Sequence, residues 1–248
     1  MTQQSKANFI RIILPVLMVI ELYAEYIHWP QLMFFTKPLL LPLIALYYFV
    51  SIQDRWSKVH TLMMFAFLFS WFGDVSLMLT PETVTDTELM GIPKSKYMFL
   101  AGVGSFLVAQ LLFINVYRLA VNGTSTVKRI NFLPFIMYWI VMLALVVPAV
   151  YQNSEKSAAT IPIIIYATTL VSMAGFALNR FGKTNPMSFW ITLAGACIFV
   201  VSDSLIAINF LVLPQPTRYA GFSIMLTYVV AEFMIAEGIL RHDNNPGQ

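Results

Sequence analysis

Residues 69–79 read FSWFGDVSLML, and residues 198–210 read IFVVSDSLIAINF. Each stretch places one carboxylate, Asp74 or Asp203, in an apolar run with no Lys or Arg beside it. Uninterrupted apolar runs of this kind are typical of transmembrane helices. An ionised carboxylate at bilayer depth costs roughly 2.5–3.5 kcal/mol or more. The two aspartates are therefore the first candidates for functional residues.

The composition of the whole chain agrees with a membrane protein. Its 248 residues are 58% hydrophobic and 11% charged, whereas a soluble domain has about 25% charged residues. The mean hydropathy is +0.74. A transmembrane β-barrel would alternate apolar and polar residues in short segments, but the apolar runs here are continuous and helix-length. The sequence predicts an all-α integral membrane bundle.

Eight transmembrane helices account for the apolar runs, and short polar or Pro-containing stretches separate them. Because these connections are short, residues 1–248 are expected to form one domain. The predicted helices lie near 9–27, 34–52, 59–80, 96–119, 130–150, 158–179, 187–210 and 218–240.

The loops carry an uneven distribution of positive charge, which predicts the orientation. Both termini are expected in the cytoplasm, and for a bacterial protein the membrane is the inner one. The basic start of the chain leads into a retained first helix, because no small-x-small cleavage site follows it. Ten of the 15 basic residues fall on the side of the termini: Lys6, Arg11, Arg55, Lys58, Arg118, Lys128, Arg129, Arg180, Lys183 and Arg241.

A possible internal repeat divides the chain into two halves of four helices. GDVSL in the third helix resembles SDSLI in the seventh, and VAQLL in the fourth resembles VAEFM in the eighth. Such repeats often place binding sites at the interface between the halves. A 4+4 arrangement would bring Asp74 and Asp203 to equivalent positions.

The buried charges gather at one level of the predicted bundle. Glu21, Asp74 and Asp203 each lie about 10 Å below the outer helix ends, at 1.5 Å per residue. Lys37, the one basic residue expected well inside, lies at a similar level, and Gln110 and Glu232 lie near mid-membrane. We expect these groups to share a polar pocket open toward the outer leaflet. The carboxylates within predicted helices are Glu21, Glu25, Asp74, Asp203, Glu232 and Glu237.

Each of these residues also has a purely structural explanation. An intramembrane Asp, Ser or Asn often bonds a neighbouring helix, which applies to Ser202 and Asn209 in particular. Glu25 and Glu237 lie within a turn of helix ends and are expected at the interface. Small residues permit helices to pack closely, which is the expected role of Gly73, Gly102, Gly104 and Gly195. The prolines Pro15, Pro42, Pro134 and Pro162 are expected near helix ends.

Metal and serine chemistry lack their usual residues at bilayer depth. The three histidines fall in loops or at helix ends, so neither a zinc site nor a Ser–His pair is predicted. The single Cys197 lies in an apolar run and offers no disulfide or cysteine-based metal site. We expect no metal and no cofactor, and the net charge of +3 indicates no nucleic-acid partner. The buried groups support carboxylate chemistry.

The chain resembles the YhhN family of multipass membrane proteins, whose characterised members are lysoplasmalogenases. The resemblance spans the second to the eighth helix. Two positions differ from the usual family pattern: Gln110 stands where family members usually have His, and Glu232 where they usually have Gln. The motifs that carry the resemblance are KPLLLP (37–42), FGDVSLML (72–79), FLAGVGSFLVAQLLFINVY (99–117), GACIFVVSDSLIAINF (195–210) and YVVAEFMIAEG (228–238).

The resemblance implies hydrolysis of the sn-1 vinyl ether of lysoplasmalogens, so the expected partners are a lysophospholipid substrate and the surrounding lipid bilayer. The buried residues suit that chemistry, because a vinyl ether is cleaved by a carboxylic acid and a carboxylate acting together, as in glycosidases. We expect Asp74 and Asp203 to be the catalytic pair, in either assignment. Substrate binding or proton tuning is expected from Lys37, Glu232, Gln110, Tyr228, Glu21, Ser202 and Asn209.

Two other classes of function fit the same features. Buried carboxylates in a repeat also suit a proton-coupled transporter of small molecules or lipids, although the helices lack the paired Gly/Pro interruptions of broken helices. A non-catalytic lipid-binding protein is the third possibility. The sequence leaves open the headgroup, the chain length and the oligomeric state.

Overall fold

The computed structural model describes residues 3–52, 56–80, 88–89, 92–93, 95, 97–121, 132–152 and 159–244. Within them, eight helices are long and apolar enough to cross a membrane. The helices are α1 (Gln3–Ile27), α2 (Pro30–Ile52), α3 (Lys58–Met78), α4 (Tyr97–Leu119), α5 (Leu133–Gln152), α6 (Thr160–Leu178), α7 (Pro186–Ala207) and α8 (Ala220–Asn244). The all-α membrane fold is thus confirmed.

The helix boundaries follow local sequence signals. His28, with a φ of 55°, closes the turn after α1, and Pro30 begins α2, where its missing N–H costs nothing. Asn185 caps α7 by accepting a hydrogen bond from the Ser188 N–H at 2.7 Å, and Pro186 follows it. A π-helical turn, Ile208–Val212, continues α7.

Some predicted details fall outside the described residues or are corrected. The predicted helix starts at 96, 130 and 158, and the basic residues Arg55, Lys128 and Arg129, lie outside the described residues. A short antiparallel pair, β1 (Glu88–Leu89) with β2 (Ile92–Pro93), lies between α3 and α4. The cytoplasmic position of the termini and the 4+4 repeat remain predictions.

The expectation that the prolines lie near helix ends is wrong for Pro15 and Pro42. Both lie inside continuous helices, because α1 begins at Gln3 and α2 at Pro30, earlier than expected. Transmembrane helices tolerate proline because neighbouring groups satisfy the freed carbonyl. The helices continue through both prolines, so these positions are not the breaks of a transporter-type broken helix.

The bundle has a central helix and a peripheral one. Helix α8 packs against α1, α2 and α7, while α5 packs on α6 and on the π-helical turn. Only Val146 and Val150 of the described α5 side chains are fully buried. These two, with Ala159 and Ile163, form a small apolar cluster separate from the main core.

Glycines set the close approach of two helix pairs, as predicted for Gly73, Gly102 and Gly195. A Cβ on Gly73 would lie 2.5 Å from the Phe106 ring, so α3 and α4 approach closely there. On Gly195 it would lie 3.0 Å from the Ala231 carbonyl oxygen on α8. The same expectation is wrong for Gly104, whose Cβ would meet no atom within 4 Å.

Candidate functional site

Asp74 lies in the last turn of α3 and is 5% exposed. The Tyr228 hydroxyl on α8 donates a hydrogen bond to its Oδ2 at 3.0 Å. The Tyr228 ring is held edge-on between Phe106 and Phe199, with ring centroids 5.9 and 5.7 Å away. Aromatic packing from α4 and α7 therefore fixes the hydroxyl that contacts Asp74.

Asp203 lies on α7 and is also buried. The Tyr166 hydroxyl on α6 donates to its Oδ2 at 2.5 Å, and the Gln110 side-chain amide on α4 approaches the same oxygen at 3.4 Å. The two aspartates thus have parallel environments, each with one buried tyrosine hydroxyl as donor. Phe199, which packs on the Tyr228 ring, lies one turn before Asp203 on α7. The two predicted catalytic residues are therefore connected through one aromatic contact.

Lys37 and Glu21 lie on the neighbouring helices α2 and α1. The Lys37 ammonium is 3.7 Å from Glu25 in an ion pair. Glu21 is buried, and its Oε2 accepts a hydrogen bond from the Thr36 hydroxyl. Lys37 and Thr36 therefore connect the first turns of α2 to carboxylates of α1.

Glu232 lies deeper in the bundle and is fully buried. The Ser70 hydroxyl on α3 is its polar neighbour, and within the described part of the chain neither group bonds any other side chain or backbone atom. Glu232 is one turn from Tyr228 on α8, and Ser70 is one turn from Asp74 on α3, so Glu232 lies one helical turn from the hydrogen bond between Tyr228 and Asp74. Glu232 is thus the third carboxyl of the site, and we call Asp74, Asp203 and Glu232 the carboxyl cluster.

Two of the predicted site residues have structural hydrogen bonds instead. The Ser202 hydroxyl donates to the Ile224 carbonyl oxygen at 3.2 Å and so joins α7 to α8. The Asn209 Oδ1 accepts from the Thr217 N–H and hydroxyl at 2.9 and 2.8 Å. Asn209 therefore fixes the connection that leads into α8.

The two glutamates expected at the interface are largely buried. Glu25 is 8% exposed and forms the ion pair with Lys37. Glu237 accepts hydrogen bonds from Arg11 and from the Tyr47 hydroxyl, both at 2.6 Å. It joins α8 to α1 and α2, five residues after Glu232 on α8 and so about 7.5 Å further along the helix.

Sequence reasoning missed Tyr166, which makes the shortest contact to Asp203. One signal was available: Tyr166 interrupts the apolar run IPIIIYATT, at a depth close to that of Asp203. A tyrosine at bilayer depth usually has a hydrogen-bond partner for its hydroxyl. Tyr166 therefore belongs among the candidate site residues.

The prediction that Lys37 is the one basic residue well inside is also wrong, because Arg180 is fully buried. Its guanidinium donates to the Ala120 carbonyl oxygen at 3.1 Å, to the Thr192 hydroxyl at 2.6 Å and to the Ser188 hydroxyl at 2.9 Å. Three acceptors compensate the desolvation of this charge. Arg180 joins the ends of α4, α6 and α7.

Among the described residues, no group of three or more His, Cys, Asp or Glu side chains is arranged to hold a metal ion. A carboxyl group can donate a proton when it is neutral and accept one when it is ionised. Proton transfer is therefore the chemistry that the carboxyl cluster can supply from its own atoms.

Comparison with known proteins gives one match. The sequence model of the YhhN family matches residues 32–239, which include most of α2 through α8 and both aspartates. No curated protein and no solved structure matches the chain.

Proposed function

The chain belongs to the YhhN family, and from this membership and the site geometry we propose that it is a membrane-embedded ether hydrolase. The proposed substrate is a lysoplasmalogen, a single-chain phospholipid with a vinyl ether at sn-1. The products are a fatty aldehyde and glycerophosphoethanolamine or glycerophosphocholine. One observation carries the proposal: two buried aspartates are each bonded by a tyrosine hydroxyl, and the Tyr228 ring that serves Asp74 packs on Phe199, one turn before Asp203 on α7.

The chemistry needs one protonated and one ionised carboxyl. The acid adds its proton to the vinyl carbon that is remote from the ether oxygen, which leaves an oxocarbenium ion at the adjacent carbon. The other carboxylate stabilises this cation and accepts a proton as water adds to it. The resulting hemiacetal loses the glycerol oxygen, which takes that proton, and its own hydroxyl proton returns to the first carboxylate. Both carboxyls end as they began, and the net change is the addition of one water.

The surroundings of the pair favour this division between two protonation states. Two carboxylates close together in a medium of low dielectric constant repel each other, which favours one shared proton. A positioned acid or base of this kind contributes about 10²–10⁴-fold to a rate. Asp74 and Asp203 are the proposed catalytic residues, and Glu232 is proposed to exchange protons with them.

Further roles are proposed for the groups around the pair. Lys37, near the outer end of α2, would bind the lipid phosphate when the phosphate replaces Glu25 as its ion-pair partner. Tyr228 and Gln110, which contact the aspartates, would orient the attacking water. Glu21 would tune the charge near Asp74.

The test is aldehyde release from 1-alkenyl-glycerophosphoethanolamine by the purified protein in detergent. We expect Asp74→Asn and Asp203→Asn each to lower the rate by about 10²-fold or more. Glu237→Gln is the matched control, because it makes the same carboxyl-to-amide change at a residue whose hydrogen bonds run to Arg11 and Tyr47 and to neither aspartate, and it is expected to keep the rate. A 1-acyl lysolipid tests the requirement for the vinyl ether.

Two results would contradict the proposal. Unchanged hydrolysis in both aspartate variants would remove the catalytic pair. No hydrolysis by folded wild-type protein, together with proton-driven uptake of a lipid or small molecule into liposomes, would favour the transporter instead.

A further inference from the structure

A narrow cleft runs along the bundle between α4, α5, α6 and α7, with Asp203 in its wall. It lies at the seam between the main core and the small apolar cluster that attaches α5. Along α5 it extends from Tyr138 to Val146, and along α6 from Ile163 to Val171. Each range rises about 12 Å at 1.5 Å per residue. The cleft is therefore about as long as one leaflet's hydrocarbon layer, ~15 Å.

The wall of the cleft is almost entirely apolar, with one polar patch. Phenylalanine, leucine, isoleucine, valine and alanine side chains form most of it. The polar patch consists of the Asp203 carboxyl with the Tyr166 hydroxyl, and of the Ser204 hydroxyl hydrogen-bonded to that of Tyr138. A ligand that matches this wall is a long apolar chain with an oxygen function at one point.

The cleft volume limits the shape of that ligand. It is about 90 Å³, well below the ~300–1,000 Å³ of pockets for drug-sized molecules. A long cleft of so small a volume suits a single linear chain and leaves no room for a second chain or a fused ring system.

The cleft also reaches the lipid-facing surface. Of the lining residues on α5, only Val146 is fully buried, and the others are half-buried. Because α5 is the peripheral helix, a chain already dissolved in the bilayer can enter sideways without crossing water.

We infer that this cleft binds the hydrocarbon chain of a single-chain lipid, with the oxygen-bearing end of the chain beside Asp203. The inference rests on the proposed function in that Asp203 belongs to both sites. It adds the location at which the hydrocarbon chain binds. Because Asp203 lines the cleft, it is the first carboxyl that this hydrocarbon chain contacts. Asp74 is not part of the cleft wall, and it is connected to the wall through Tyr228, which packs on Phe106.

The first experiment uses a probe that cannot be hydrolysed. A 1-alkyl lysophospholipid, with a saturated ether and a diazirine on its chain, is photolysed with the purified protein in detergent. We expect labelled peptides from 138–146 of α5 and 163–171 of α6, competed by the unlabelled single-chain ether lipid and not by a two-chain phospholipid. Labelling spread over the outer faces of α1 and α2 would overturn the inference.

A matched pair of variants tests the cleft itself. Ala167→Trp fills the cleft from α6, whereas Ala101→Trp adds the same side chain to an exposed position of α4 at a comparable depth. Labelling is expected to fall at least tenfold in Ala167→Trp and to stay unchanged in Ala101→Trp. Since tryptophan is a large insertion, Ala167→Leu is the milder variant, and it is expected to shift binding toward shorter chains. Equal labelling and equal chain preference in both Ala167 variants would refute the inference.

The result separates this inference from the proposed function. Labelling of the cleft without aldehyde release from the alkenyl lipid would support the chain site and reject the hydrolase. Aldehyde release with a chain-length preference unchanged by Ala167→Leu and Ala167→Trp would support the hydrolase and reject the chain site.

Discussion

Gly73→Ala tests whether close packing of α3 on α4 maintains the candidate site. The new Cβ would lie 2.5, 2.6 and 2.8 Å from three atoms of the Phe106 ring, whereas carbon atoms in contact are normally about 3.5–4.0 Å apart. The ring must therefore withdraw by about 1 Å. Phe106 packs edge-on against Tyr228, whose hydroxyl bonds Asp74, and it also lines the cleft. Its displacement therefore changes the geometry beside one or both aspartates.

The expected stability change combines two opposing effects. Overpacking in a well-packed interior typically costs about 1–3 kcal/mol. Replacing glycine by alanine in a helix returns up to about 1 kcal/mol. We expect a net loss of about 1–2 kcal/mol, which corresponds to a lowering of the melting temperature by roughly 2–8 °C in a chain of this size.

The assay compares Gly73→Ala with Gly104→Ala, where the added Cβ meets no atom within 4 Å. Melting in detergent is followed by intrinsic tryptophan fluorescence, and aldehyde release is measured on the same samples. Gly104→Ala is expected to melt at or slightly above the wild-type temperature with an unchanged rate. If Gly73→Ala behaved like Gly104→Ala in both measurements, the Phe106 contact would not support the site.

Three further predictions concern the hydrogen bonds and charges inside the bundle. Tyr228→Phe removes the hydroxyl that contacts Asp74 and keeps the ring. Aldehyde release is expected to fall about tenfold, which corresponds to a loss of ~1.5 kcal/mol of transition-state stabilisation. An unchanged rate would mean that the hydroxyl has no role in hydrolysis. Arg180→Met leaves three neutral acceptors without their donor and is expected to lower the free energy of unfolding by about 1–3 kcal/mol. Arg118→Met, at an exposed helix end, should have little effect, and equal melting temperatures of the two variants would contradict the structural role of Arg180. Glu232→Gln removes a fully buried carboxyl and keeps an oxygen that can accept from its polar neighbour Ser70. The melting temperature should therefore stay equal or rise, and the hydrolysis rate should stay within about tenfold. A loss as large as that of Asp74→Asn would make Glu232 a third catalytic residue.

The sequence was sufficient to predict eight helices, because runs of about 20 apolar residues define transmembrane helices almost alone. The common depth of Glu21, Asp74 and Asp203, counted at 1.5 Å per residue, stays a prediction. The helix ends were less certain, because a proline such as Pro15 indicates a break in water but is tolerated within a transmembrane helix. Arg180 was misjudged for a related reason: its position near a helix end suggested a loop residue, and nothing local reveals that three acceptors surround it.

The partners of the aspartates could not be predicted because depth gives the level of a residue and not the direction in which it faces. In a soluble helix, amphipathic periodicity identifies the buried face. In a bilayer both the lipid-facing and the protein-facing sides are apolar, so that periodicity is weak, and only polar or small residues mark the inner face.

Tyrosine is ambiguous by this criterion, since it is apolar along the ring and polar at the tip: Tyr228 is buried against Asp74, whereas Tyr151 is 72% exposed. The hydrogen bond from Tyr228 joins residues 154 positions apart, so it depends on how α3 and α8 pack and not on either local sequence. A site formed by such pairs follows from the fold, which is why the carboxylates were found from the sequence and their tyrosine donors mainly from the structure.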